Sequence, residues 1–178
     1  MTGQTGLLRL RAEDEDDLAI LSAAAQDALF RVKDALFDAK SRRFTVVMDR
    51  FRWETAEEVG PYERIKAGLS FDGVTAARSQ RVQRDRPEAQ AWLLAVEFEP
   101  DPEPPGGAVR LLLAGGGEIR LTVECIDAAL ADAGADMNAL DAQAYDAVTI
   151  AAVADDPELL SLALALGNRA DLVTSPYD

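Results

Sequence analysis

The most informative property of this 178-residue sequence is that it contains no histidine. Nucleophilic schemes that pair serine or cysteine with histidine need an imidazole to accept the proton, so both are excluded. Histidine-containing zinc sites and facial-triad iron sites are excluded for the same reason. Only carboxylates, three tyrosines and three lysines remain for proton transfer. We therefore favour a non-catalytic protein and expect no catalytic residues, no metal site and no cofactor.

Cysteines and long apolar segments are also scarce. The single cysteine, Cys125, cannot form an internal disulfide, and one thiolate alone cannot hold a zinc ion or an iron–sulfur cluster. The longest apolar candidate, Leu159–Leu166, is much shorter than the roughly 18 residues that a membrane span needs. The first ten residues contain no basic-then-apolar leader and no small-residue cleavage site. Together these features predict a cytoplasmic protein.

The charge of the chain is strongly acidic but unevenly distributed. A net charge of −14 argues against nucleic-acid binding and against docking on anionic membranes, because both depend on neutralising phosphates. Residues 41–86 nevertheless carry ten basic and seven acidic residues, a net charge of +3. A basic patch on an acidic body is therefore possible.

The N-terminal region predicts a strand followed by a helix. Residues 8–11 alternate leucine with arginine, as in a short edge strand. An acidic run at 13–17 then precedes apolar residues at helical spacing, Leu18, Leu21 and Ala25. Acidic residues at a helix start complement the positive end of the helix dipole. We interpret this run as N-terminal helix chemistry rather than as a metal or partner site.

From residue 29 to residue 123 the apolar pattern has period two, which is typical of antiparallel strands. Phe44, Val46 and Met48 share one face, whereas Phe51 and Trp53 have the opposite parity. This switch suggests a β-bulge or a strand that passes from one side of a curved sheet to the other. The strand at 91–99 is expected to place Leu94, Val96 and Phe98 on one face. An Asp72–Gly73 pair between two strand-like runs predicts a tight hairpin.

Two glycine-containing segments near residue 120 close the domain. Gly115–Gly117 lies between strand-like runs and is not followed by Gly-Lys-Ser/Thr, so we predict a hairpin turn rather than a phosphate-binding loop. Ile126–Ala133 predicts a helix that ends at Gly134. Between them, Cys125 is expected to be a small buried hydrophobe rather than a nucleophile.

These elements predict an α+β fold with an N-terminal strand and helix and a curved antiparallel sheet or small roll of about seven strands, closed by the helix at 126–133. A pleckstrin-homology-like barrel is an alternative by analogy. We divide the chain into a domain at 1–134 and an acidic, alanine-rich appendage at 135–178. Two short helices, at about 141–153 and 157–166, are predicted in the appendage, the second beginning at Asp156–Pro157. The alternating leucines at 160–166 leave a strand as the alternative for the second segment.

A dense cationic and aromatic stretch surrounds Trp53. One interpretation is an anion- or partner-binding platform in which arginines meet charge and aromatic rings stack. The other interpretation, which we favour, places Phe51 and Trp53 in the core and leaves the arginines solvated or paired with acids. If a binding patch exists, its candidate residues are Arg42, Arg43, Arg50, Arg52 and Trp53.

Several segments in consistent order resemble an uncharacterised bacterial domain-of-unknown-function family over about residues 7–134. They are LRLRAEDEDDL at Leu8–Leu18, DRFRWE at Asp49–Glu54, GLSFDG at Gly68–Gly73 and GGGEIRLTVEC at Gly115–Cys125. The resemblance implies a small cytoplasmic protein, and it supplies no activity and no site residues.

Two functional hypotheses follow. The first is a non-catalytic binding or accessory module that acts through contact with another protein, or through self-association. The alternative is an arginine-lined binder of a small anionic metabolite, or an enzyme acting on one.

Overall fold

In the computed structural model, residues 7–55, residues 64–133 and the strand Ser175–Pro176 are described. The strands are β1 (Arg9–Ala12), β2 (Ala28–Arg31), β3 (Ala35–Asp38), β4 (Arg43–Phe51), β5 (Arg64–Phe71), β6 (Val74–Gln80), β7 (Gln90–Pro100), β8 (Gly107–Leu113), β9 (Glu118–Val123), β10 (Ala128–Asp132) and β11 (Ser175–Pro176). One α-helix, α1 (Glu15–Ala25), and two 3-10 turns, Val32–Asp34 and Trp53–Thr55, complete the described elements.

The strands form one open, mostly antiparallel sheet. Its order is β1-β10-β5-β4-β2-β7-β8-β9-β6-β11, and β3 pairs with β4 beside β2. The pair β6–β11 is parallel, whereas the other pairs are antiparallel. Most of the described residues lie in this sheet, and an N-terminal strand and helix come before the other strands. The coarse prediction of a curved antiparallel sheet with a helix is therefore confirmed.

One short connection, Asp72–Gly73, shows how strongly the sheet curves. β5 and β6 are separated only by Asp72–Gly73, yet they lie in distant parts of the strand order and do not pair. The prediction of a tight hairpin at Asp72–Gly73 is therefore wrong. The amide of Asp72 instead donates to the carbonyl of Asp127, and the amide of Val74 donates to the carbonyl of Arg42. These bonds fix a corner at which two distant parts of the sheet approach each other.

The helix predicted at 126–133 is a strand, β10, inserted between β1 and β5. Ala128, Leu130 and Asp132 point into the core, while the two residues between them are half-buried. Alanine is the strongest helix former, but intrinsic propensity is easily overridden, and here pairing with strands on both sides decides the conformation. The predicted roll and the pleckstrin-homology-like alternative both need a closing helix at 126–133. This segment does not form that helix.

Helix α1 covers the core instead. Asp14 caps it by accepting a hydrogen bond from the amide of Asp17, as the acidic run predicted. Leu18, Leu21 and Ala25 are buried against the sheet. The hydroxyl of Ser22 accepts a hydrogen bond of 2.8 Å from the amide of Val96 in β7. The sequence therefore identified the helix correctly, but not its role as the cover of the core.

Strand β7 contains a bulge that the period-two pattern missed. The register between β7 and β8 shifts between Leu93 and Ala95, so Leu93 and Val96 point inward and Leu94 is exposed. The predicted shared face of Leu94, Val96 and Phe98 is accordingly wrong. Cys125 is exposed in the connection after β9, so the prediction that it is buried is also wrong.

The glycine-rich hairpin is confirmed. β8 and β9 pair directly, and the amide of Leu113 donates to the carbonyl of Gly117. Gly115 and Gly116 have φ angles of +83° and +82°, which side chains other than glycine rarely adopt.

Most of the predicted C-terminal appendage, including both predicted helices, lies outside the described residues. The described part of the tail, Ser175–Pro176, is a strand that extends the sheet at Arg78 and Ser79 rather than a helix. The division at residue 134 stays a prediction. No helix in the described ranges is long and apolar enough to cross a bilayer.

Candidate functional site

The five residues predicted as a patch are separated by strand β4. Arg42 and Arg43 lie at its beginning, whereas Arg50, Arg52 and Trp53 lie at its end. At a rise of about 3.3 Å per residue, the two groups are roughly 23 Å apart. Arg42 is exposed and pairs with Glu124 at 2.7 Å, and Arg43 is largely buried and pairs with Asp72 at 2.6 Å.

Arg50 and Arg52 are buried and Trp53 is exposed, so the favoured interpretation was wrong about which side chains lie in the core, although the expected pairing with acids is confirmed for Arg50. Arg50 is 0% exposed and Arg52 is 7% exposed, whereas Trp53 is 46% exposed. The pairing of β4 with β5 continues without a register shift to Phe51, so no bulge changes the parity. Phe44, Val46 and Met48 occupy even-numbered positions and point inward. The next two even-numbered residues, Arg50 and Arg52, are buried on the same side.

The guanidinium of Arg50 forms a buried ion-pair cluster with two acids. Its Nε and Nη2 donate to the two carboxylate oxygens of Asp132 at 2.6 and 2.7 Å. Its Nη1 donates to Glu54 Oε2 at 3.1 Å and to the carbonyl of Phe51. Asp132 also accepts a hydrogen bond from the amide of Leu8 at 2.9 Å. The cluster thus joins β4, β10 and the chain before β1.

The electrostatics of this cluster favour the charged forms of Arg50 and Glu54. Burial lowers the pKa of Arg50, but the hydrogen bonds and charges of Asp132 and Glu54 outweigh that effect, and the pKa is raised. The hydrogen bond from Arg50 lowers the pKa of Glu54. A guanidinium held in its charged form does not exchange protons near neutral pH. Arg50 is therefore a permanently charged link between these elements and not an acid–base group near neutral pH.

A second group of residues forms an exposed surface on the outer side of the sheet. We call it the aromatic face, and it comprises Phe51, Trp53, Arg64, Trp92 and Leu94. Trp53, Trp92 and Leu94 are each 42–46% exposed. Trp53 contacts Phe51 edge-on, with ring centroids 4.5 Å apart. Register places Arg64 opposite Phe51, so the aromatic face spans β4, β5 and β7.

Arg64 organises the aromatic face. Its guanidinium carbon lies 5.3 Å from the ring centroid of Trp92, a cation–π contact. Its Nη1 donates to the carbonyls of Asp27 and Asp49 at 2.9 and 3.1 Å. Trp53 is fixed nearby, because its Nε1 donates to the carbonyl of Gln26 at 3.2 Å. The two tryptophans are thus fastened to the Gln26–Asp27 turn, directly or through Arg64.

The arginines of segment 41–86 differ in their partners. Those at 42, 43 and 50 have carboxylate partners, and Lys66 pairs with Asp49. In contrast, the arginines that follow β5 form no ion pair with any residue that the structure describes: Arg78, Arg81, Arg84 and Arg86. Sequence reasoning missed this second group because it selected arginines by their proximity to aromatic residues. The described carboxylates contain no cluster suited to a metal ion.

Comparison with known proteins identifies a family and no individual relative. No curated protein and no solved structure matches the chain. A family model described as "Protein of unknown function (DUF2948)" matches residues 8–145, which confirms the expected resemblance to an uncharacterised family and extends it past residue 134. The chain therefore belongs to this family of proteins of unknown function.

Proposed function

We propose that this protein is a non-catalytic cytoplasmic module that binds another protein through its aromatic face. The observation that supports the proposal is the exposure of Trp53 and Trp92 around Arg64. Tryptophan and arginine are the residue types most enriched among the hot spots of protein–protein interfaces. Each tryptophan is already oriented by a contact in the free protein, so little conformational entropy would be lost on binding.

The charge of the aromatic face suggests the chemistry of the partner. Arg64 hydrogen-bonds to backbone carbonyls and has no carboxylate partner among the described residues. A partner that presents apolar side chains around one carboxylate would cover the tryptophans and neutralise this guanidinium. A partner without the carboxylate would leave the charge of Arg64 desolvated and unpaired.

Affinity purification with matched variants tests the proposal. Wild-type protein, Trp92→Thr and Ile20→Ser serve as baits in lysate of the cells that express the protein. Ile20 is 60% exposed on α1, so its variant removes a comparable apolar side chain from another element. We expect one protein to be retained in stoichiometric amounts by wild type and by Ile20→Ser, but not by Trp92→Thr.

The purified partner then allows a quantitative check. Truncating a hot spot costs about 2 kcal/mol or more, which corresponds to a roughly 30-fold rise in Kd for Trp92→Thr. Arg64→Gln should weaken binding as well, and less so at high salt. The proposal is wrong if wild type retains no stoichiometric partner, or if Trp92→Thr retains it as well as Ile20→Ser does.

A further inference from the structure

Strand β6 has one open edge among the residues that the structure describes. On one side it pairs with β9 from Val74 to Gln80. On the other side its only strand partner in the described ranges is β11, a parallel strand of two residues opposite Arg78 and Ser79. Such an edge presents amide and carbonyl groups with which another extended segment can pair. A strand can therefore be added to the sheet at β6.

Strand β11 covers this edge incompletely. It pairs with two of the seven residues of β6. One of its own two residues is Pro176, which has no amide proton to donate. Its register places Ser175, an uncharged residue, opposite Arg78. The structure thus shows an extended segment on the edge of β6 and no carboxylate in register with the arginine.

The open edge of β6 carries an unneutralised positive charge. Arg78 is exposed and forms no ion pair with any residue in the described ranges. It ends a cross-strand row, because register aligns it with Arg120 in β9 and aligns Arg120 with Arg110 in β8. The two inner arginines have carboxylate partners, Glu99 at 3.1 Å and Glu118 at 2.9 Å. Only the outer end of this row therefore lacks an acid among the described residues.

We propose that the open edge of β6 binds an acidic peptide segment as an added parallel strand, which takes the place of β11. A carboxylate directly opposite Arg78 would complete the row, because cross-strand neighbours lie side by side in a sheet. Backbone pairing would supply affinity, and this carboxylate would supply selectivity. Arg81, just beyond β6, adds a second positive charge, and its guanidinium lies against Gly116. The site therefore favours acidic segments over basic ones.

A second copy of this chain suits the open edge poorly. Two copies that paired through β6 would bring the positive charges of both Arg78 side chains to the same edge, and like charges on neighbouring strands repel. The edge is also separate from the aromatic face, which lies on β4, β5 and β7. The peptide site and the proposed function can therefore fail separately.

Titration of the full chain with synthetic peptides, followed by NMR, tests the proposal. The probe is a seven-residue peptide in which valine and glutamate alternate. In one control peptide lysine replaces glutamate, and in another every backbone amide is N-methylated, so that it cannot pair as a strand. We expect the glutamate peptide to shift the amide resonances of β6 saturably, with Kd below about 1 mM, and each control to bind there at least about fivefold more weakly. Non-specific attraction to a chain of net charge −14 would favour the lysine peptide instead.

Three variants locate the site. Arg78→Glu should raise the Kd of the glutamate peptide about fivefold and lower that of the lysine peptide by a similar factor. Arg86→Glu, which changes the net charge equally outside β6, should change either Kd less than about twofold. A variant that lacks residues 174–178 should bind the glutamate peptide at least about twofold more tightly, because β11 no longer competes for the edge.

Four results would refute the proposal. The glutamate peptide could cause no saturable shift in β6 up to about 5 mM, or a control peptide could bind there equally well. The two arginine variants could have the same effect, which would show that only net charge matters. Removal of β11 could leave the affinity unchanged, which would show that the peptide does not take its place.

Discussion

Replacing Asp132 by asparagine should destabilise the protein severely, although the change in size is small. Both side chains of the Arg50–Asp132 pair are 0% exposed, so Arg50 would lose its fully buried counter-ion. Its remaining acid, Glu54, is one-third exposed and belongs to the same strand end. Removing one partner of a buried ion pair costs about 3–5 kcal/mol, because the other charge stays buried and uncompensated.

The size of this effect can be measured in two ways. Urea denaturation followed by tryptophan fluorescence gives the free energy of unfolding, with Trp53 and Trp92 as reporters. For a chain of this length, about 2–4 °C of Tm corresponds to each kcal/mol, so Asp132→Asn should lower Tm by roughly 6–20 °C. Asp127→Asn is the control, because Asp127 pairs with the exposed Arg11 and its loss should cost less than about 1 kcal/mol.

A double replacement tests whether the uncompensated charge of Arg50 causes the loss of stability. In Arg50→Met/Asp132→Leu both buried charges are gone, and the amide of Leu8 loses one acceptor. Exchanging a whole buried ion pair for apolar side chains is often neutral or stabilising, so the double variant should be more stable than Asp132→Asn. If Asp132→Asn costs less than about 1 kcal/mol, or if the double variant is the least stable of the set, the desolvation argument is wrong.

Three further predictions concern pH, packing and the thiol. Arg50 lowers the pKa of Glu54 in the folded protein from its ordinary value of 4.5, so Glu54 stabilises the fold above that pH and this contribution is lost as pH falls through the folded pKa. Unfolding of Glu54→Gln should therefore depend less on pH below about 4.5 than that of wild type or of Glu103→Gln, and equal slopes would contradict this. Gly107→Ala should cost more than about 2 kcal/mol by urea denaturation, because its Cβ would lie 2.5 Å from the carbonyl oxygen of Glu99; a loss below about 0.5 kcal/mol would refute the close approach. Cys125 is exposed, so one equivalent of a thiol reagent should modify the native protein, and a reaction that requires denaturant would show that the thiol is covered.

Local patterns in the sequence were sufficient to predict most strands and helix α1. The glycine hairpin was predicted because its partner strands are neighbours along the chain. The turn at Asp72–Gly73 has an equally good local signal, but its flanking strands pair with distant segments. Which strands pair depends on which apolar faces pack against each other in the folded core. A pattern within a few residues contains no information about that packing.

The buried cluster was missed because arginine is usually read as a surface residue. The parity of β4 was nevertheless continuous, since Phe44, Val46, Met48 and Arg50 occupy alternate positions. Strand β10 shows the same alternation, in which Ala128, Leu130 and Asp132 occupy the buried positions. A basic and an acidic residue that each continue an apolar alternation are a signal for a buried ion pair.

The corner at Asp72–Gly73 also constrains how the protein is made. During synthesis β5 leaves the ribosome next to β4, but its other edge stays open until β10 has been translated. Strand β6, which follows β5 at once, likewise has no antiparallel partner until β9 is available. An unpaired edge can pair with other chains. The nascent chain therefore depends on late segments to protect early ones, and translation that stops between β6 and β9 should yield aggregation-prone fragments rather than a smaller folded unit.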